Sequence, residues 1–256
     1  MCYDDQARPP IPPGEAGEAH GEDIVLTAAD GNQFAAYFAT PANPSGAKVI
    51  IYPDVRGLHQ FYKELALRFA EVGITALALD YFGRTAGLSA RDDSFEYMPH
   101  VMQIRLDTFF QDVQAGLNYV RSQGGNERTF VVGFCMGGTL ALFSGTNPDF
   151  GFTGLIPFYA GLTREFGGKG TALDHANEIR YPVLGLFGGA DQGIPESAVK
   201  ALESKLQEAG VPNTIVIYPG APHSFFDRRA TDYADASSNA WQRVLEFIGS
   251  PAPATA

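Results

Sequence analysis

The sequence predicts an α/β fold: a mostly parallel central sheet, helices on both faces, and an antiparallel edge on the N-terminal side. Three observations predict it. Short runs at residues 49–52, 74–79, 130–134, 155–158, 183–187 and 215–218 are apolar on consecutive positions, as strands covered on both faces must be. Between them lie segments of helical period, such as Leu106, Phe109, Phe110, Val113, Leu117 and Val120. Finally, Ala29-Asp30-Gly31-Asn32 separates two strand-like runs within residues 22–40, and Asp-Gly supplies the positive φ that a hairpin turn requires.

Taken in order, the chain opens with an aperiodic stretch carrying Pro9, Pro10, Pro12 and Pro13, read as a flexible arm over residues 1–21. The hairpin follows, then strands at 49–52 and 74–79. Residues 85–100 show no period. Because loops leaving the carboxyl ends of strands line the site of an α/β sheet, this stretch is a candidate wall or lid. The helix over 106–120 leads to the strand at 130–134 and a helix from Thr139 onward. Strands at 155–158 and 183–187, a helix through Val199, Leu202 and Leu206, and the strand at 215–218 come next. A last helix carries Trp241, Val244, Leu245 and Ile248, and residues 250–256 form a tail. No repeat or linker interrupts this pattern, so residues 22–249 read as one domain.

Composition narrows the functions. At 256 residues and 45% apolar content, the chain can bury a large core with no disulfide or structural metal. A formal charge of −11, without a Lys/Arg cluster, repels nucleic acid. No apolar run approaches the roughly 20 residues of a membrane span. The opening Met1-Cys2-Tyr3-Asp4-Asp5 lacks the basic and apolar regions of a secretory signal, so the expectation is a cytoplasmic protein. Cys2 and Cys135 are the only cysteines, and neither they nor His20, His59, His100 and His175 have metal-ligand spacing.

The chemistry concentrates in three loops. Gly133-Phe134-Cys135-Met136-Gly137-Gly138 sits where a buried strand gives way to a helix, with glycines two before and two after the central residue. That is the nucleophile-elbow pattern with Cys in place of Ser, and it lifts the sulfur to the sheet edge at a helix N-terminus, whose partial positive charge suits an anion. No Gly-x-Ser-x-Gly occurs. An acyl-transfer nucleophile needs a base, and the base an orienting anion. Asp191 stands in the loop after the strand at 183–187, and His223 in the loop after the strand at 215–218. Taken singly, Cys135 reads as a small core residue, Asp191 as a cap for the helix near Pro195, and His223 as a turn histidine. Together they follow three strands of a parallel sheet in the order nucleophile, acid, histidine, which is that of α/β hydrolases.

The chain resembles the dienelactone hydrolase family from about residue 22 to 248. The resemblance is carried by residues 133–138, the Asp191 loop and Pro219-Gly220-Ala221-Pro222-His223-Ser224-Phe225. It implies an α/β-hydrolase fold and a catalytic triad of Cys135, Asp191 and His223, with no cofactor. It also implies that the backbone N–H groups of Val55 and Met136 form the oxyanion hole. Asp54 replaces the family's Glu, which contacts the resting Cys; being shorter, it reads equally as a turn-forming Asp, and Arg56 beside it is a possible neutralising partner. The family's dienelactone-cleaving members hold the substrate carboxylate with two arginines, of which Arg84 matches one. The second position is Asp227, followed by Arg228, and Tyr159 matches a site-lining tyrosine.

The implied activity is hydrolysis of a small ester or lactone through an acyl-thioester, as in a carboxymethylenebutenolidase. Two alternatives stand beside it: a promiscuous short-chain carboxylesterase or thioesterase, and a non-catalytic binding module. The expected partner is a small molecule, not nucleic acid or a membrane.

Overall fold

The computed structural model describes residues 6–124, 128–227 and 229–249, so Arg228 and the 250–256 tail lie outside the described residues. Among the described residues eight strands form one sheet: β1 (Ala19–Thr27), β2 (Gln33–Pro41), β3 (Lys48–Tyr52), β4 (Thr75–Leu79), β5 (Thr129–Phe134), β6 (Gly154–Phe158), β7 (Val183–Gly188) and β8 (Asn213–Tyr218). Their spatial order is β1-β2-β4-β3-β5-β6-β7-β8. β1 and β2 are antiparallel, β2 is antiparallel to β4, and every later pairing is parallel. The helices are α1 (Gln60–Glu71), α2 (Gly83–Ala86), α3 (Met98–Val101), α4 (Leu106–Ser122), α5 (Met136–Ser144), α6 (Glu196–Glu208) and α7 (Ala234–Gly249).

Strands β3, β5, β6 and β7 are buried at every residue, which is why their sequences are continuously apolar rather than alternating. α5 is likewise buried on all sides and has no polar face. α1, α4 and α6 each bury one stripe, as their three- and four-residue spacing requires. Pro157 in β6 has no N–H to donate, and the ladder to β7 pairs only Leu155 with Val183 and Phe158 with Leu186. No helix among the described residues is long and apolar enough to cross a membrane.

The N-terminal stretch, read from the sequence as flexible, is docked where it is described. The Trp241 indole N–H donates to the Pro10 carbonyl at 2.9 Å, the Gly17 N–H donates to the Glu71 carbonyl at 2.8 Å, and β1 begins already at Ala19. A buried indole N–H needs an acceptor, and a proline-rich backbone has carbonyls with no local partner, so the two satisfy each other. The helix expected from Thr139 starts at Met136, directly after the elbow.

Parallel strands put their carboxyl ends on one rim. Residues 53–59, 80–82, 135–138, 159–162, 189–195 and 219–227 therefore meet there, although they are spread over most of the chain.

Candidate active site

The elbow is built by close packing. A Cβ at Gly133 would lie 2.2 Å from the Gly137 carbonyl oxygen, and one at Gly137 would lie 2.1 Å from that of Tyr52. Only glycine fits either place, so the start of α5 is pressed onto the ends of β3 and β5. Between them Cys135 takes φ 54° and ψ −114°, a conformation that costs a non-glycine residue roughly 1–3 kcal/mol. Its N–H donates to the Phe158 carbonyl (3.1 Å), and its own carbonyl accepts the Thr139 N–H (3.1 Å). The residue is half-buried.

Asp191 and His223 are in contact. His223 Nδ1 lies 2.6 Å from Asp191 Oδ2, and the other carboxylate oxygen accepts the Gly193 N–H at 2.8 Å. The Asp191 side chain is 2% exposed and that of His223 35%, so the acid sits dry beneath an imidazole that reaches the surface. An ionised carboxylate only accepts, so the contact puts the proton on Nδ1 and leaves proton exchange to Nε2. Backbone bonds from Gly189 to Tyr218 (2.8 Å) and from Ala190 to Ala221 (2.9 Å) stitch the two loops together. Among the described residues three that are not glycine have positive φ, Cys135, Tyr159 and Ser224, and all three lie on this rim.

Asp54 to Gly57 form a turn closed by the Gly57 N–H on the Asp54 carbonyl (3.1 Å), and Asp54 Oδ1 accepts the Arg56 N–H (2.9 Å). The fully buried Asp54 is thus at least the turn-former considered from sequence. Val55 occupies the second place of this turn, whose N–H takes no part in the turn's own bond. Met136 opens α5, where an N–H has no helical carbonyl to bond. Both positions suit donation to an anion.

Two sites implied by the resemblance come out differently. Arg84 donates to Asp30, to both oxygens of Asp112 (2.8 and 3.1 Å) and to the Thr108 carbonyl (3.1 Å), so its guanidinium ties the β1–β2 loop to α4. The hydrogen bond from Arg84 lowers the Asp30 carboxyl, whereas burial raises that of Asp112. Tyr159 is fully buried and does not line the opening. Its ring packs 4.9 Å from that of His223, and its hydroxyl donates to the buried Asp227 at 3.0 Å. Position 227 therefore offers an acid held under the histidine. Arg228 lies outside the described residues.

Sequence reasoning missed what organises residues 85–100. Arg91 is buried on Asp80 (2.8 Å) and donates to the Gly87 carbonyl (2.7 Å), and Arg56, also buried, pairs with Asp93 (2.7 Å). The run Arg91-Asp92-Asp93, charged inside an aperiodic stretch, was the available signal. Three other histidines have contacts of their own: His59 caps α1, His100 stacks on Phe95 at 5.1 Å, and His175 bonds Glu178. Among the described residues no three His, Cys, Asp or Glu side chains cluster to hold a metal ion.

The model of the "Dienelactone hydrolase family" matches residues 34–251. A "Putative carboxymethylenebutenolidase" of Salmonella typhimurium is 29% identical over 237 residues, 88% of this chain and 86% of that protein. One of the same name from Escherichia coli K12 is 28% identical over 230 residues, 85% of this chain and 83% of that protein. The crystal structure of a "Putative Dienelactone Hydrolase from Klebsiella pneumoniae" superposes with a TM-score of 0.80 at 24% identity, covering 92% of this chain and all of that one.

Proposed function

The chain belongs to the dienelactone hydrolase family, hydrolases of ester and lactone bonds with the α/β-hydrolase fold, and from that premise we propose that it cleaves a small ester or lactone through a thioester on Cys135. In this mechanism the Cys135 thiol gives its proton to His223 Nε2, the sulfur attacks the carbonyl carbon, and the carbonyl π electrons move to oxygen. The N–H groups of Val55 and Met136 hold that oxyanion, a service typically worth about 3–4 kcal/mol per donor. As the tetrahedral adduct collapses, the C–O bond to the alcohol breaks and the alcohol takes a proton from His223. In a lactone it stays tethered as a hydroxyacyl chain. His223 Nε2 then takes a proton from water, whose oxygen attacks the thioester, and the sulfur leaves as thiolate. Asp191 holds the imidazole by Nδ1 throughout.

The observation that carries this reading is the strain at Cys135. A left-handed backbone at a non-glycine residue persists only where surrounding packing enforces it, and here two glycine contacts do so at the mouth of a helix.

A second reading concerns substrate charge, and the state of Arg84 favours it. With that guanidinium spent on Asp30, Asp112 and Thr108, and with Asp227 at the second arginine position, uncharged short-chain esters are preferred to the anionic dienelactone. Loss of a charge-assisted contact costs about 1.5–3 kcal/mol, or roughly 10- to 100-fold. We expect kcat/KM for p-nitrophenyl acetate to exceed that for dienelactone by about that factor. Preference for dienelactone would overturn the second reading, and failure to hydrolyse either substrate would overturn the first.

A further inference from the structure

The loop carrying Val55 has no helix or strand of its own to hold it, yet an oxyanion donor works only at a fixed place. Two consecutive side chains at the end of β4 supply the anchorage. Tyr81 donates its hydroxyl to the Pro53 carbonyl at 2.7 Å, just before the 54–57 turn. Asp80 Oδ1 accepts the Leu58 N–H at 3.0 Å, just after it. β3 and β4 are parallel neighbours in register, Ile51 beside Ala78, so residues 80 and 81 emerge next to the turn.

The fit is tight on both sides. A Cβ at Gly57, where φ is +77°, would lie 2.5 Å from Asp80 Oδ1, so the turn rests directly on that carboxylate. A Cβ at Gly137 would lie 2.3 Å from the Pro53 carbonyl oxygen, the same atom that Tyr81 holds. Pro53 is therefore where the segment carrying Val55 touches the helix start carrying Met136, and Tyr81 fixes it. Asp80 is itself immobilised: Oδ2 accepts the Phe82 N–H (2.9 Å) and faces the Arg91 guanidinium (2.8 Å), with both side chains of the ion pair essentially inaccessible. Burial raises the Tyr81 phenol well above its usual value, reinforced by the nearby carboxylates of Asp54 and Asp80, so it remains a donor.

We propose that Asp80 and Tyr81 are positioning residues for the oxyanion hole, gripping the two ends of the turn that presents the Val55 N–H. The inference rests on the thioester mechanism above. It is distinct from the activation of the sulfur, which the mechanism assigns to His223 and Asp191, and that division makes it testable.

The experiment measures Tyr81→Phe, which removes one hydroxyl from an otherwise intact ring, alongside Asp80→Asn. Thermal unfolding by circular dichroism confirms folding. For Tyr81→Phe, kcat with p-nitrophenyl acetate should fall about tenfold while KM stays within about twofold, a loss smaller than deleting a donor outright. Affinity for a trifluoromethyl ketone, whose adduct with the thiolate carries an oxyanion, should fall in step. The rate of Cys135 alkylation by iodoacetamide, which needs the thiolate and no oxyanion hole, should stay within about twofold. Asp80→Asn should show the same split. Unchanged kcat in Tyr81→Phe, or alkylation slowed as much as turnover, would overturn the positioning role while leaving the nucleophile assignment intact. Wild-type turnover that persists in Cys135→Ala would instead overturn the mechanism, and this inference with it.

Discussion

Replacement of Cys135 by alanine is expected to lower kcat for p-nitrophenyl acetate by about 10⁴-fold or more, with thermal stability little changed. The argument starts from geometry. The elbow holds residue 135 at positive φ between Gly133 and Gly137, and nothing about that strain depends on the sulfur itself, so alanine fits the same backbone. What disappears is the only nucleophile at this position, and the N–H groups of Val55 and Met136 then have no covalent adduct to stabilise. Steady-state assays with purified wild-type and variant protein measure the effect, and retention of more than about a tenth of the activity would contradict it. Cys135→Ser is expected to lose at least about 10²-fold, because a hydroxyl is far harder to deprotonate than a thiol.

The second large effect belongs to Asp191→Asn, for which we expect a loss of about 10³- to 10⁴-fold in kcat. The 2.6 Å contact between Asp191 Oδ2 and His223 Nδ1 fixes the imidazole tautomer because a carboxylate can only accept. An asparagine amide placed with its nitrogen toward Nδ1 donates instead, so the ring proton moves to Nε2 and the base is lost. The other oxygen, which accepts the Gly193 N–H at 2.8 Å, survives in the amide and keeps the loop in place. If Asp191 only shaped this loop, the variant would lose little activity. The kcat measurement therefore distinguishes a catalytic from a structural carboxylate.

How much of this was legible in the sequence follows from how local each signal is. The elbow depends on glycines two residues either side of Cys135, and the clashes they avoid lie within the same motif or on adjacent strand ends, so residues 133–138 announce themselves. Buried parallel strands write continuous apolar runs, which made the sheet readable from β3 to β7, and the half-buried edge strand β8 carries such a run as well. Asp191 and His223 were read from topology, since each follows its own strand, and their side chains lie 2.6 Å apart.

Arg84 was not readable. Its motif implied a substrate contact, but its guanidinium is claimed by Asp30 and Asp112, which reach it from the hairpin loop and from α4, and no local pattern encodes that meeting. Tyr159 matches a site-lining tyrosine of the family, yet as an aromatic at a strand end it packs against Phe134, Phe225 and His223 and is buried. The order of residues 85–100 comes from Arg91 folding back on Asp80 and from Asp93 pairing with Arg56, contacts that leave no periodicity. The docking of Pro10 on Trp241 likewise joins opposite ends of the chain.

The most direct test of the account is to trap the intermediate. Mixing the wild-type protein with excess p-nitrophenyl acetate, quenching in acid within the first turnover and mapping the peptides by mass spectrometry should place one acetyl group on the peptide that carries Cys135. The label should be released by hydroxylamine as a thioester is. Rapid turnover with no acetyl on Cys135, or with the acetyl on another side chain, would contradict it.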